Sequence, residues 1–465
     1  MPIEPKIFKA YDVRGKYPEE LNEETAFQIA AAVGKHFGGR AKIIVGRDGR
    51  LSSPTLYKAV TSGLKVKSYK LKVISVGIMT TPTLYFLVNK LKADGGIMVT
   101  ASHNPKNYNG LKVVGKNARP ISGKEILKLV SASPAFLSAP ASLRSSGGAR
   151  LRLAAKTRLR RDQSFGGSVV AVRNAGKSDI SLYSYFLKKF LKPKRKLKVV
   201  FDCSNGTTGR ILRQLTTNNK QLTTIFINDN PDGNFPAHGP NPLLKGATGQ
   251  LEKEVKKQKA DLGVIFDADG DRVFFIDNRG RWIDPNESAY ILTKLFPSPY
   301  VVGVVSSKRI KVKGAIISRV GHYFFKKLMR EKKASLGLEH SGHYYFKKFF
   351  YCDSGILAAI EVINFVSALK GDLASWLDKL PRYYRSGELN FEVRDKEKVL
   401  RAVEMRYRQG AKQILSLDGL TIEFSDYWFN LRPSNTENLL RLNIESTDKN
   451  ILNKELQNLK KLIIV

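Results

Sequence analysis

The feature that most limits how this chain can fold is a repeated pairing of a short β-branched run with a helical stretch. KIIVG (Lys42 to Gly46) is followed by PTLYKAVTSGL, KVISVG (Lys72 to Gly77) by MTTPTLYFLV, and GGIMVTAS then runs into a loop. Short apolar runs bounded by turn residues are buried strands, and strands alternating with helices fold as a mostly parallel, doubly wound sheet. Ahead of the first strand, Asn22 is an N-cap with Glu23 and Glu24 in the first turn. Ala26, Ile29, Ala30, Val33 and Phe37 repeat at helical spacing, and Gly38 and Gly39 end the helix.

The same grammar returns at KLKVVFD (196–202), which enters the turn CSNGTTG, and at DLGVIF (261–266), which leads through DADGDR to VFFID. The chain therefore reads as several α/β units of roughly one hundred residues. After Pro381 the style changes. EVRDKEKVLRAVEMRYRQ is helical, then TIEFSDYWFNLRPS and LLRLNIES are strands, which is a smaller α+β closing unit. The expected division is 1–130, 180–280, 281–380 and 385–465, with 131–179 an atypical basic linker. From Ser131 to Ser178 there are nine Lys or Arg against one acid, Asp162, and no apolar period. That segment reads either as a disordered linker or as a shifted reading frame.

Composition excludes several classes. Hydrophobic residues are 42% and charged residues 26%, so the chain is globular. Cys203 and Cys352 are too few for a disulfide scaffold or a multi-cysteine zinc site. MPIEPKIFKAYDVRG is too charged for a signal peptide, and Leu71 to Val88 contains Lys72 and Pro82, so no membrane span is expected. A cytoplasmic, monomeric protein is the expectation. Lys plus Arg is 79 against 41 acids, a formal charge of +38. The basic residues are spread along the chain with no zinc finger or RNP-type motif, which argues against a dedicated nucleic-acid partner.

Four loops carry chemistry. TASHNP (Thr100 to Pro105) puts Ser102 at the end of an apolar strand, where α/β folds bind ligands. It lacks the GxSxG elbow of hydrolases, and His103, its immediate neighbour, is poorly placed as its base. DADGDR alternates Asp267, Asp269 and Asp271, so one turn can aim three carboxylates at a point. They would repel one another without a hard cation. An EF-hand would need Gly and an acid where Arg272 and Asn278 stand. A phosphate oxygen is the natural further ligand for Mg²⁺. LGLEHSGHYYF alternates Glu339, Ser341 and His343 around Gly342, a spacing suited to vicinal sugar hydroxyls. RPSNTEN groups Arg432, Ser434, Asn435 and Thr436, the inventory for a phosphate dianion.

Together these loops resemble the α-D-phosphohexomutase family, its bacterial phosphomannomutase/phosphoglucomutase branch. The resemblance covers residues 6–130 and about 180–465, with the loops in the family's order. It implies three consecutive doubly wound α/β domains with mixed sheets plus a smaller C-terminal α+β domain around a central cleft. It implies that Ser102 is the phosphoserine and, with Asp267, Asp269 and Asp271, a Mg²⁺ ligand. Glu339, Ser341 and His343 match sugar-side contacts, and Arg432, Ser434, Asn435 and Thr436 match the clamp on the non-reacting phosphate. Arg14 of YDVRG, Lys112 of NGLK and Arg272 match basic residues near the reacting phosphate. His322 and His343 match histidines lining the site, with His322 or Lys112 for proton transfer.

The implied reaction interconverts hexose 1-phosphate and hexose 6-phosphate, of mannose or glucose, through a hexose bisphosphate that also acts as activator. KAYDVRG, where a glucosamine-specific branch carries a GTDG-type motif, argues against that branch. Two features depart from the family pattern: the long link 131–178, and the stretch from Ser307 to His322, several residues short of a helix. A metal-dependent serine phosphatase would explain Ser102 and the aspartates but leave the other loops idle. A basic nucleic-acid-binding protein on an enzyme scaffold would explain only the charge.

Overall fold

The structure is a computed structural model that describes residues 3–66, 70–132, 175–434 and 439–464. Its strands form four separate sheets in chain order. In the first, Lys42–Arg47 lies between parallel neighbours Lys72–Ile78 and Gly95–Val99; Tyr108–Gly115 and Val13–Lys16 then continue it antiparallel. In the second, Leu197–Asp202 pairs in parallel with Leu222–Ile227 and Leu262–Phe266, and Val273–Asp277 turns back antiparallel. In the third, Tyr300–Gly303 is parallel to Ala315–Ser318 and Leu336–Leu338, before the antiparallel Tyr344–Phe346 and Cys352–Asp353. The fourth is wholly antiparallel around Tyr427–Pro433 and Leu439–Ser446.

The sequence reading of the first unit holds closely. Asn22 accepts from Thr25 N at 3.0 Å and opens the helix Glu23–Phe37. Ser53–Leu64 and Thr81–Lys90 are the next helices, the latter capped by Thr80. Gly95–Val99 and Leu262–Phe266 are buried at every residue, as runs covered on both faces must be. As the sequence suggested, no helix links Tyr300–Gly303 to Ala315–Ser318.

Three corrections arise. The expected helix from Glu392 begins only at Lys396, capped by Asp395. Leu389–Glu392 is instead a strand paired with Leu439–Ser446. The C-terminal helix Lys449–Ile463 was not anticipated, although Asp448 caps it and Leu452, Leu459 and Ile463 bury one face. The basic segment is trimmed at both ends, since Ser131 closes the helix Gly123–Ser131 and a helix begins at Ala175. The rest of that segment, 133–174, lies outside the described residues.

Packing decides what is rigid around the site. The first three units share one apolar core, with Phe86, Tyr183, Phe201, Phe275, Tyr344 and Ile360 in one contiguous cluster. The fourth has its own core, built on Ile422, Phe429, Leu431 and Leu442 under the two helices. It meets the third mainly through polar links. Lys308 N donates to Glu445 at 2.8 Å, Arg319 to the Leu417 carbonyl at 2.7 Å, and Val320 N to Asp418 at 2.9 Å.

Candidate active site

Ser102 sits just past the buried strand Gly95–Val99 and is itself buried, with φ at 50°. A non-glycine residue in the left-handed region stores strain of about 1–3 kcal/mol and needs its surroundings to hold it. Arg50 does so. Its guanidinium is fully buried and donates to the carbonyls of Ser102 (2.6 Å), Asn104 (2.7 Å), Pro105 (2.7 Å) and Tyr108 (3.1 Å). Asp48 pairs with Arg50 at 3.1 Å and accepts from Thr100 (2.7 Å) and Ser53 (2.5 Å). Neither Asp48 nor Arg50 was singled out by the sequence reading.

The Ser102 hydroxyl donates to Asp267 at 2.8 Å, and His103 Nδ1 lies 3.3 Å from the same oxygen. The DADGDR turn joins the paired strands Leu262–Phe266 and Val273–Asp277. Gly270 has φ 71°, and a Cβ there would meet Thr208 at 2.5 Å, so only glycine makes this turn. Carboxylate oxygens of Asp267, Asp269 and Asp271 lie within 4.8 Å of one another, all buried. Thr81 donates to Asp269 at 2.5 Å. Lys112, from the strand Tyr108–Gly115, donates to Asp269 at 2.9 Å and also to Asp271. One oxygen each of Asp269 and Asp271 stays buried with no hydrogen-bond partner.

The electrostatics follow. Burial first, then the charges of Asp271 and Asp269, push the Asp267 carboxyl well above the usual range. Burial would raise Asp271 too, but the Lys112 ammonium holds it below the usual range. Lys112 is raised in turn by Asp269 and Asp271, against the effect of burial. A buried, partly unpaired trio of hard oxygen donors fits a divalent cation, whose charge would relieve the repulsion.

Arg14 donates to Asn104 at 2.6 Å and to Asp12 at 2.5 Å, next to the serine loop. Arg272 lies 4.0 Å from Asp267 and donates from Nε to His343 Nε2 at 3.0 Å. His343 Nδ1 is 3.0 Å from Asp353. Both ring nitrogens of His343 are thus engaged within the protein. Burial, then the Lys326 charge, push His322 well below the usual histidine range; its ring lies 5.2 Å from Tyr11 and 6.4 Å from His343.

In the third loop, Glu339 is buried, accepting from Tyr345 at 2.8 Å and Gly321 N at 3.2 Å. Ser341 keeps a buried hydroxyl with no partner. Tyr11 ties the first unit to the third, donating to the Val320 carbonyl at 2.6 Å and packing on Gly321, where a Cβ would meet its ring at 2.1 Å. In the fourth motif, Arg432 is the next-to-last residue of the strand Tyr427–Pro433 and pairs with Glu388 at 2.8 Å, leaving Nε buried without a partner. Ser434 is buried beside it; Asn435 and Thr436 lie outside the described residues. The charges of Glu339 and Arg432 both act on Tyr11 and His340, which places both side chains near these two residues.

A serine hydroxyl against a carboxylate trio, ringed by Lys112, Arg272 and Arg14 on a multi-unit α/β scaffold, is the equipment of a phosphoryl-transfer enzyme. Comparison with known proteins gives the particular kind. Models of the phosphoglucomutase/phosphomannomutase family match four times in order: α/β/α domain I over residues 5–134, domain II over 182–280, domain III over 287–384, and the C-terminal domain over 388–462. The chain belongs to the phosphoglucomutase/phosphomannomutase family. It is 34% identical over 456 residues to a protein of Xanthomonas campestris pv. campestris named for phosphohexose mutases, covering 94% of each chain. It is 34% identical over 472 residues to a phosphomannomutase of Methanocaldococcus jannaschii, covering 98% of this chain and 97% of that one. A phosphoglucomutase/phosphomannomutase family protein of Burkholderia thailandensis superposes with TM-score 0.81 at 27% identity, over 99% of this chain and 97% of that one. Among the described residues, no helix is long and apolar enough to cross a membrane.

Proposed function

We propose that the chain interconverts hexose 1-phosphate and hexose 6-phosphate, of mannose and glucose, with Ser102 as the phosphoryl carrier. The observation that carries this is the Ser102 hydroxyl on Asp267, inside the carboxylate trio and within reach of Lys112 and Arg272 cations. In the forward half, the bond from Ser102 Oγ to phosphorus breaks and a new bond forms to the free hydroxyl oxygen of the monophosphate sugar. Ser102 Oγ keeps the electron pair, and the sugar hydroxyl gives up its proton. The bisphosphate turns end over end, and the reverse step returns its other phosphate to Ser102.

Each group has a task. Lys112 and Arg272 neutralise charge spread over the phosphoryl oxygens, and Arg14 steadies the serine loop beside them. Lys112, its ammonium clamped by two carboxylates, is assigned to charge and not to proton transfer. His322, kept neutral by burial, is assigned to take the hydroxyl proton. Asp267, Asp269 and Asp271 would hold Mg²⁺, which when bound supplies positive charge for the group in transfer. Glu339 and Ser341 read the sugar hydroxyls shared by glucose and mannose, and Arg432 with Ser434, Asn435 and Thr436 holds the distal phosphate. A dianion there would compete with Glu388 for Arg432.

A coupled assay on glucose 1-phosphate and mannose 1-phosphate, with Mg²⁺ and a trace of the hexose bisphosphate, tests the reading. Both sugars should turn over in the wild type and neither in Ser102→Ala. Release of inorganic phosphate in place of the isomer would replace this reading with a phosphatase.

A further inference from the structure

Behind Arg272 runs a buried chain of polar contacts that the scheme above leaves unused. Lys326, on the helix His322–Glu331, is fully buried; its Nζ lies 2.7 Å from Asp353 Oδ1 and 3.9 Å from the centre of the Tyr85 ring. Asp353 turns its other oxygen to His343 Nδ1 at 3.0 Å. A carboxylate only accepts, so Nδ1 carries the proton. Arg272 Nε only donates, and it lies 3.0 Å from His343 Nε2, so Nε2 carries none. One tautomer satisfies both neighbours. Backbone ties reinforce the link, with a bridge between Arg272 and His343 and Val273 N donating to the Gly342 carbonyl at 3.1 Å. An arginine of the second unit is thus gripped from the third.

A buried ion pair is seldom worth more to stability than packed apolar side chains of the same size. What Asp353 does that leucine could not is set which nitrogen of His343 accepts. Lys326 in turn faces Asp353 Oδ1 as a countercharge at ion-pair distance, without a hydrogen bond, while Oδ2 is aimed at the ring.

We propose that Asp353 and Lys326 are positioning residues that aim Arg272, through His343, at the phosphoryl group carried by Ser102. This rests on the mutase reading of Ser102.

The test is Asp353→Asn in the full chain, read by steady-state kinetics and by ¹⁵N-histidine NMR. The asparagine amide can turn its NH₂ to the ring and favour the other tautomer, which would set N–H against N–H at Arg272. The expected result is a kcat lower by roughly 10–100-fold, the usual range for a group that orients a site residue. KM should hardly move, because the distal clamp is untouched. The His343 signals should leave the Nδ1–H pattern. Arg272→Lys should cost less in this background than in the wild type, since both changes break one link. A folded Asp353→Asn with wild-type kcat, an unchanged His343 tautomer, or full additivity with Arg272→Lys would each overturn the proposal. If Asp353→Asn does not fold, Lys326→Met with Asp353→Leu removes both charges at once. Folded with lowered kcat it supports the proposal, and folded with wild-type kcat it overturns it. A wild type without mutase activity would refute the mutase reading, whereas the tautomer in wild type and variant decides the link by itself.

Discussion

Arg50→Met is the perturbation whose consequences the structure specifies most fully. Arg50 gives hydrogen bonds to four carbonyls of the 102–108 loop and pairs with Asp48, with neither charged side chain exposed. Methionine fills much of the same volume but donates nothing. Asp48 would keep Thr100, Ser53 and the backbone N of residue 50, so it stays charged without its countercharge. Breaking a buried pair on one side costs about 3–5 kcal/mol, most of it the stranded charge. The freed carbonyls add to that, and Ser102 loses the grip that keeps it at φ 50°. Urea unfolding followed by tryptophan fluorescence and far-UV CD should show the first transition shifted by that amount. The activity remaining below that transition should fall in kcat, because the serine no longer meets Asp267 and Lys112 in register. Asp48→Asn with Arg50→Met should recover part of the stability but not the kcat, since only the stranded charge is relieved. An Arg50→Met protein within about 0.5 kcal/mol of wild type, the range of an ordinary surface change, would refute the reasoning. So would wild-type kcat.

Three further outcomes are expected. Asp271→Asn should lower kcat on the order of 10²-fold and raise the Mg²⁺ needed for half activity, while Arg432→Ala should chiefly raise KM; steady-state kinetics over a Mg²⁺ series separates the two. EDTA should abolish turnover and added Mg²⁺ restore it, with isothermal calorimetry showing weaker metal uptake by Asp267→Asn than by wild type. Burial pushes the Lys311 ammonium down to about 8, against the pull of Glu445 and Glu423. The unfolded chain therefore binds more protons between about pH 8 and about pH 10.4, so stability should rise with pH across that window. Thermal melts at the two ends should differ in that direction for wild type more than for Lys311→Met, and an equal difference would count against the assignment.

Much of the site could be read from the chain because its chemistry is local. Asp267, Asp269 and Asp271 fall within five residues, so alternation alone brings their carboxylates together, and Gly270 marks the turn that does it. Ser102 announces itself by following a buried strand, Glu339 by standing in a polar loop after one, and Arg432 by opening a polar run at the end of an apolar strand. The strand–helix alternation likewise pointed to several doubly wound α/β units, since periodicity reports which face of an element must be buried, while their number came from the family resemblance. The C-terminal helix was missed although Asp448 and its leucines carried the same signal.

What tertiary structure alone decided is the partnership of groups far apart in the chain. Nothing near Arg50 says that it will hold the backbone of Ser102, 52 residues away, or near Thr81 that it will bond Asp269, 188 residues away. Tyr11 reaches Val320, Arg272 reaches His343, and Asp353 sets that histidine from a strand end. Sequence pattern records the period of burial along one element, whereas these contacts depend on how separate sheets pack against one another. A buried charge or donor must find its partner wherever the packing brings one, so its identity is settled only when the units close.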